Sequence, residues 1–108
     1  MNKYRNRPTT NSHGRFDSKG EAVRYAELVL LERAGEITEL RRQVPLYLYG
    51  KDLPIAYPSG RIARVVVDFA YKDAGGQRYE DFKGKQTAMS KLQHAILRAQ
   101  GVEVLIVR

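Results

Sequence analysis

Asp68, Asp81 and Lys83 are the residues of this chain whose types and spacing could do chemistry. Asp68 ends an apolar run, Val65-Val66-Val67, and Phe69 follows it at once. An ionised carboxylate in such a strand must be paired, hydrogen-bonded or bound to a cation. Residues 61–83 read as a hairpin, with one strand over about 62–72, a turn at Asp73-Ala74-Gly75-Gly76, and a second strand over 77–83. If the turn is a four-residue loop, Lys72 faces Gln77, Tyr71 faces Arg78, Phe69 faces Glu80, and Asp68 faces Asp81. Directly opposed β-carbons lie about 4.5–5.5 Å apart. Alternation then puts Lys83 on the face of Asp81 and turns Phe82 away. Two carboxylates so close repel unless a divalent cation stands between them. Mg²⁺, held by one or two carboxylates plus water and phosphate oxygens, suits that place. A slip of one residue opposes Asp68 to Glu80 and sends Lys83 to the other face. The competing reading is a hairpin end in solvent, where Lys83 only neutralises its acidic neighbours. On the clustered reading, removing one of two mutually repelling acids is expected not to destabilise the metal-free protein.

The elements that must position this cluster are legible on either side. Ser18 and Glu21 have the spacing of a capping box, and Gly35 stands where a left-handed cap belongs, so a helix is expected over about 18–34. Its apolar face is read as Ala22, Ala26, Val29 and Leu30, broadened by Val23, Leu28 and Leu31. Val44, Leu46 and Leu48 alternate as a strand interrupted by Pro45, and a loop with two prolines precedes the hairpin. A second helix over about 87–100 is expected to turn Met89, Leu92, Ile96 and Ala99 inward and to stop at Gly101. The segment VEVLIVR closes the sheet. The expected class is α/β, in the order α-β-β-β-α-β, a mixed sheet flanked by helices.

Composition bounds the function. At 108 residues and 43% hydrophobic, one domain with a modest core is expected. Cysteine is absent, and His13 and His94 lie far apart, which argues against a zinc site. His94 is read as a helix-surface or boundary residue. With no signal-like apolar segment, a soluble cytoplasmic protein is expected. The net charge is +7. Residues 1–16 carry Lys3, Arg5, Arg7 and Arg15 and no acid, so a basic flexible arm over 1–15 is expected before a domain over 16–108. Such an arm suits a phosphate backbone, a solvated tail being the alternative. Lys85 and Lys91 are further candidates for phosphate contacts. The segment GKQT lacks the spacing of a phosphate-binding loop. Tyr47, Tyr49, Tyr57, Tyr71 and Tyr79 are read mostly as strand or core-edge residues.

Asp68, twelve further residues, and then Asp81-Phe82-Lys83-Gly84 resemble the PD-(D/E)xK nuclease signature, with an acid, Glu21, on the first helix. The order of elements is similar to the restriction-endonuclease-like core of that superfamily. The nearest resemblance is to the phage endonuclease I type of Holliday-junction resolvase, and to a related phage family built around RFDSK-EA and YEDFKG. Val67 stands where the family usually has proline, and Asp81 where glutamate is more usual. The resemblance implies that Asp68 and Asp81 hold Mg²⁺, for which Mn²⁺ substitutes, with the Phe82 carbonyl as a further ligand. Glu21 would hold a second ion or its water, and Lys83 would orient the attacking water. It implies a homodimeric, Mg²⁺-dependent DNA endonuclease acting on branched DNA in a bacterial host cell. The alternative is a non-catalytic basic DNA-binding or accessory protein that keeps the fold. Asp68, Asp81, Lys83 and Glu21 are all present, which argues against it.

Overall fold

The computed structural model describes residues 8–82 and 86–107. Ser18 has extended backbone, and its hydroxyl accepts the Glu21 N–H at 3.1 Å, which starts α1 (Lys19–Arg33) where the cap signal put it. Gly35 has φ +81, the left-handed backbone expected after the helix. Ahead of α1, β1 (Thr9–Asn11) and β2 (Gly14–Phe16) pair antiparallel, with Phe16 buried. Part of the stretch read as a flexible arm is therefore a hairpin, held because a large aromatic side chain at its end enters the core.

After α1 come β3 (Thr38–Tyr47), the short pair β4 (Tyr49–Gly50) and β5 (Leu53–Pro54), and then the long strand β6 (Arg64–Asp73). β7 (Gly76–Phe82), α2 (Ala88–Ala99) and β8 (Val104–Val107) complete the described chain. The main sheet has the order β3-β6-β7-β8; its first three strands are antiparallel and β8 lies parallel to β7. Two strands joined in parallel need a crossover, and α2 supplies it. The chain is thus α/β with a mixed sheet and two helices. Among the described residues no helix is long and apolar enough to cross a membrane.

The β6–β7 register agrees with the count: Phe69 pairs with Glu80, Tyr71 with Arg78 and Lys72 with Gln77. The loop is shorter than expected. Asp73 still pairs with Gly76, leaving Ala74 and Gly75 as the turn. Gly76 has φ +114, and the Asp73 carboxylate accepts the Gly75 N–H at 2.7 Å. Closing one more pair leaves every other partnership unchanged.

Two apolar clusters flank the sheet. Phe69 and Tyr71 pack with Leu28 and Ile37, and Tyr25 stacks on Phe69. Val65 and Val67 instead belong with Leu48, Ala63 and Leu97 of α2. The change falls at Asp68. Its expected neighbour Gln43 has φ +53, and the β3–β6 pairing steps from Arg42↔Phe69 to Val44↔Val67.

Each helix buries only part of the face its apolar residues suggested: Ala22, Leu28 and Ile96 turn inward as expected, and others do not. In α1, Glu21, Ala22 and Leu28 are buried, whereas Val23, Leu30 and Leu31 are exposed. The face of α1 is fixed by Arg24, which reaches Glu80 of β7 through Nε at 2.8 Å and Nη2 at 2.7 Å. Glu80 is almost wholly buried and also accepts the Tyr71 hydroxyl. Burial first, and then the bond to Glu80, pushes the Tyr71 phenol up to about 12, and the same carboxylate raises Arg24. In α2, Leu97 is buried while Met89, Leu92 and Ala99 are exposed. The last residue before its turn, Gln100, accepts the Tyr49 N–H at 2.8 Å and donates to the Tyr47 carbonyl at 3.1 Å.

Candidate active site

Beyond Phe69↔Glu80 the next ladder step would join Asp68 to Asp81. Side chains take over there. The Asp81 Oδ1 accepts the Asp68 N–H at 3.0 Å, and the Asp68 Oδ2 accepts the Phe82 N–H at 2.8 Å. The residues expected to be cross-strand neighbours are therefore neighbours, each carboxylate fixed by backbone at one oxygen. Both are buried, Asp81 more deeply than Asp68. The Gln43 amide lies 3.5 Å from the other oxygen of Asp68. Asp81 and Phe82 also pair with Ile106 and Val107 of β8, so the far side of the site is anchored in the sheet.

These bonds reverse one expectation. Each carboxylate satisfies a peptide N–H where the ladder is interrupted, so removing an acid leaves a donor unpaired, a buried one for Asp81 and a part-buried one for Asp68. That penalty, about 1–3 kcal/mol, acts against any relief of charge repulsion.

The Phe82 ring packs against α1, as its side of the strand requires. A β-carbon on Gly20 would come within 2.4 Å of it, so this close approach needs glycine. The next residue is Glu21, 3% exposed, whose Oε1 has no hydrogen-bond partner among the described residues. The cap explains only part of this residue: Ser18 accepts its N–H, while one carboxyl oxygen is left over. Burial first, then the charges of Asp68 and Asp17, push the Glu21 carboxyl up from 4.5 to about 7; Arg42 opposes them. Arg42 itself stacks 3.8 Å over the Phe16 ring and donates to the Arg15 carbonyl at 2.6 Å.

The raised Glu21 has a consequence for stability. Between pH 4.5 and about 7 the folded protein holds a proton that the unfolded chain has released, so stability falls as pH rises through that window and stays lower above it. In chelator, Glu21→Gln is expected to be more stable than the parent at pH 8, by up to about 3 kcal/mol, with the gain absent at pH 4. Urea unfolding at both values checks this; a gain that does not depend on pH would contradict it.

Sequence reasoning missed His94. Its Nε2 lies 3.4 Å from the Asp81 Oδ2 and its Nδ1 lies 3.1 Å from the Gln86 amide, so it is the boundary residue of the two readings and stands at the carboxylate pair, a place the sequence did not suggest. Lys83, Lys85, Lys3, Arg5 and Arg7 lie outside the described residues. Arg15 and Lys91 are exposed.

Among the described residues no three His, Cys, Asp or Glu side chains form a group able to hold a metal ion by themselves. A hard cation such as Mg²⁺ asks for less: one or two carboxylates, with water and phosphate oxygens completing six. The donor set fits that demand. Asp68 and Asp81 offer fixed carboxylates, and Glu21 brings a buried oxygen lacking a partner into the field of Asp68.

The family described as "Protein of unknown function (DUF1064)" matches residues 1–107. No curated protein and no solved structure matches the chain.

Proposed function

The chain belongs to the DUF1064 family, and we propose that it is a Mg²⁺-dependent DNA endonuclease of the PD-(D/E)xK class, selective for branched DNA. The observation that carries this reading is the reciprocal bracing of Asp68 and Asp81 across the interrupted ladder, with a Glu21 oxygen that has no hydrogen-bond partner among the described residues in the field of Asp68. The order α1-β3-β6-β7-α2-β8 supports a restriction-endonuclease-like core.

In this reading Asp68, Asp81 and the Phe82 carbonyl hold Mg²⁺, Mn²⁺ substituting, and Glu21 holds a second ion or its water. A cation held there would supply polarisation of the scissile phosphate and a lowered pKa for the attacking water. The backbone N–H of Asp68 and of Phe82 keep the two carboxylates turned to their places, so little reorganisation accompanies binding. Lys83, which lies outside the described residues, would orient or activate the attacking water and offset the charge that develops on phosphorus. Symmetric cutting of a four-way junction needs two such sites about a two-fold axis, hence a homodimer.

Incubation with linear, single-stranded, flapped and four-way DNA, in Mg²⁺ and in EDTA, tests the proposal. Cleavage in Mg²⁺ alone, fastest on the four-way substrate, is the expected result. A protein that cuts none of them would overturn it.

The N-terminal cations belong to the same reading. Removing residues 1–7 takes away Lys3, Arg5 and Arg7 and leaves the β1–β2 hairpin whole. The slope of log K against log salt is expected to flatten by about 2–3 units. Fluorescence anisotropy over a range of salt reads it; an unchanged slope makes the segment a mere tail.

A further inference from the structure

We infer that His94 is a positioning residue that holds the Asp81 carboxylate in place for a cation; the inference rests on reading Asp68 and Asp81 as metal ligands. Asp81 has one oxygen fixed by a peptide group, since Oδ1 accepts the Asp68 N–H. Its second oxygen, Oδ2, faces the His94 ring at 3.4 Å. Both side chains are largely out of solvent, His94 at 11% exposure and Asp81 at 2%. A contact of this length shortens with a small rotation once the site is loaded.

The tautomer follows from the other side of the ring. Gln86 turns its amide nitrogen to Nδ1 at 3.1 Å. That nitrogen only donates, so Nδ1 accepts and the proton of a neutral ring stays on Nε2. The N–H so placed is carried by the nitrogen that lies 3.4 Å from Asp81 Oδ2. An N–H held on a ligating carboxylate fixes its orientation while leaving its remaining lone pairs to the metal, the role outer partners play at metal centres.

The scaffold under His94 is stiff. Leu97 lies one turn further along α2 and is almost wholly buried in the cluster with Val65 and Val67. Thr87 caps the start of α2 by accepting the Ser90 N–H at 3.0 Å. The helix therefore brings the imidazole to a set place.

The test is Mn²⁺ titration of the DNA-free full chain by calorimetry, with thermal melting alongside. His94→Gln puts an amide nitrogen near the Nε2 position. His94→Asn reaches only the Nδ1 position, and His94→Leu keeps bulk without any donor. Mn²⁺ affinity is expected to fall about tenfold or more in His94→Leu and His94→Asn, while His94→Gln stays within about threefold of the parent. A side chain that merely fills space would give the opposite order, with leucine the best replacement. Should His94→Leu fail to fold, the comparison of His94→Gln with His94→Asn decides alone. If the His94 variants bind Mn²⁺ as the parent does while Asp81→Ala loses it, the positioning role is overturned and the metal reading stands. If parent and Asp81→Ala bind Mn²⁺ alike, the metal reading falls and this role with it.

Discussion

Asp68→Ala and Asp81→Ala are each expected to lower Mg²⁺-dependent DNA cleavage about 10³-fold or more, because each takes away a ligand of the ion that polarises the phosphate. Lys83→Ala belongs with them. DNA binding is expected to survive, since a carboxylate repels phosphate and its loss removes repulsion. The two aspartates also carry a structural duty that separates chemistry from folding. Asp81→Ala leaves the buried Asp68 N–H without an acceptor and is expected to lose about 1–3 kcal/mol of stability. Asp68→Ala strands the part-buried Phe82 N–H and is expected to lose about 1 kcal/mol. Asp68→Asn keeps an oxygen for the Phe82 N–H. It should recover most of that stability while remaining inactive. Cleavage assays in Mg²⁺ and Mn²⁺, with urea unfolding of the same preparations, read both effects. Full activity in either alanine variant ends the assignment; an asparagine variant as unstable as the alanine ends the account of the hydrogen bonds.

The largest loss of stability is expected at Arg24, a residue the proposed chemistry does not use. Glu80 is 1% exposed, and its carboxylate depends on the two Arg24 nitrogens and the Tyr71 hydroxyl. Arg24→Ala leaves that carboxylate buried with the hydroxyl but without its cation, a change that costs about 3–5 kcal/mol when an ion pair is broken on one side. The lower figure applies, because the Arg24 side chain is 24% exposed and water partly replaces it. In a domain of this size that is a large part of the total stability. Replacing both members, Arg24→Met with Glu80→Leu, removes the stranded charge and should recover much of the loss. Thermal melting decides. A single variant melting within a few degrees of the parent would mean that the pair contributes little.

The pairing of β6 with β7 is legible in the sequence because the glycines of the turn fix where counting begins. A loop one pair shorter than expected does not disturb the count, so Asp68 and Asp81 meet as the spacing predicts. The break beside them is hidden. Gln43 has left-handed backbone, which glutamine seldom adopts, and nothing in its identity announces that conformation. Strict alternation would place Val65, Val67, Phe69 and Tyr71 on one face and in one cluster, whereas the structure divides them between two. The inward side of α2 is hidden for another reason. A search for an apolar stripe finds Met89 and Leu92, yet the stripe that turns inward includes His94, because it meets carboxylates. Arg24 and Glu80 are 56 residues apart. Their pairing depends on how α1 lies across the sheet.

The two rims of the main sheet are guarded unequally. On β3, Pro45 cannot donate to another strand, and the left-handed residues Glu39 and Gln43 break the regular row of peptide groups. Just past its end, the Gln100 amide occupies a peptide carbonyl and a peptide N–H as a neighbouring strand would. β8 presents Val104, Leu105, Ile106 and Val107 with no proline, charge or left-handed residue among them, and Leu105 is 58% exposed. Strand-to-strand aggregation is therefore obstructed along β3, whereas among the described residues no strand pairs with the outer side of β8, where a single lysine in place of Leu105 would add the kind of gatekeeper that β3 already has in other forms.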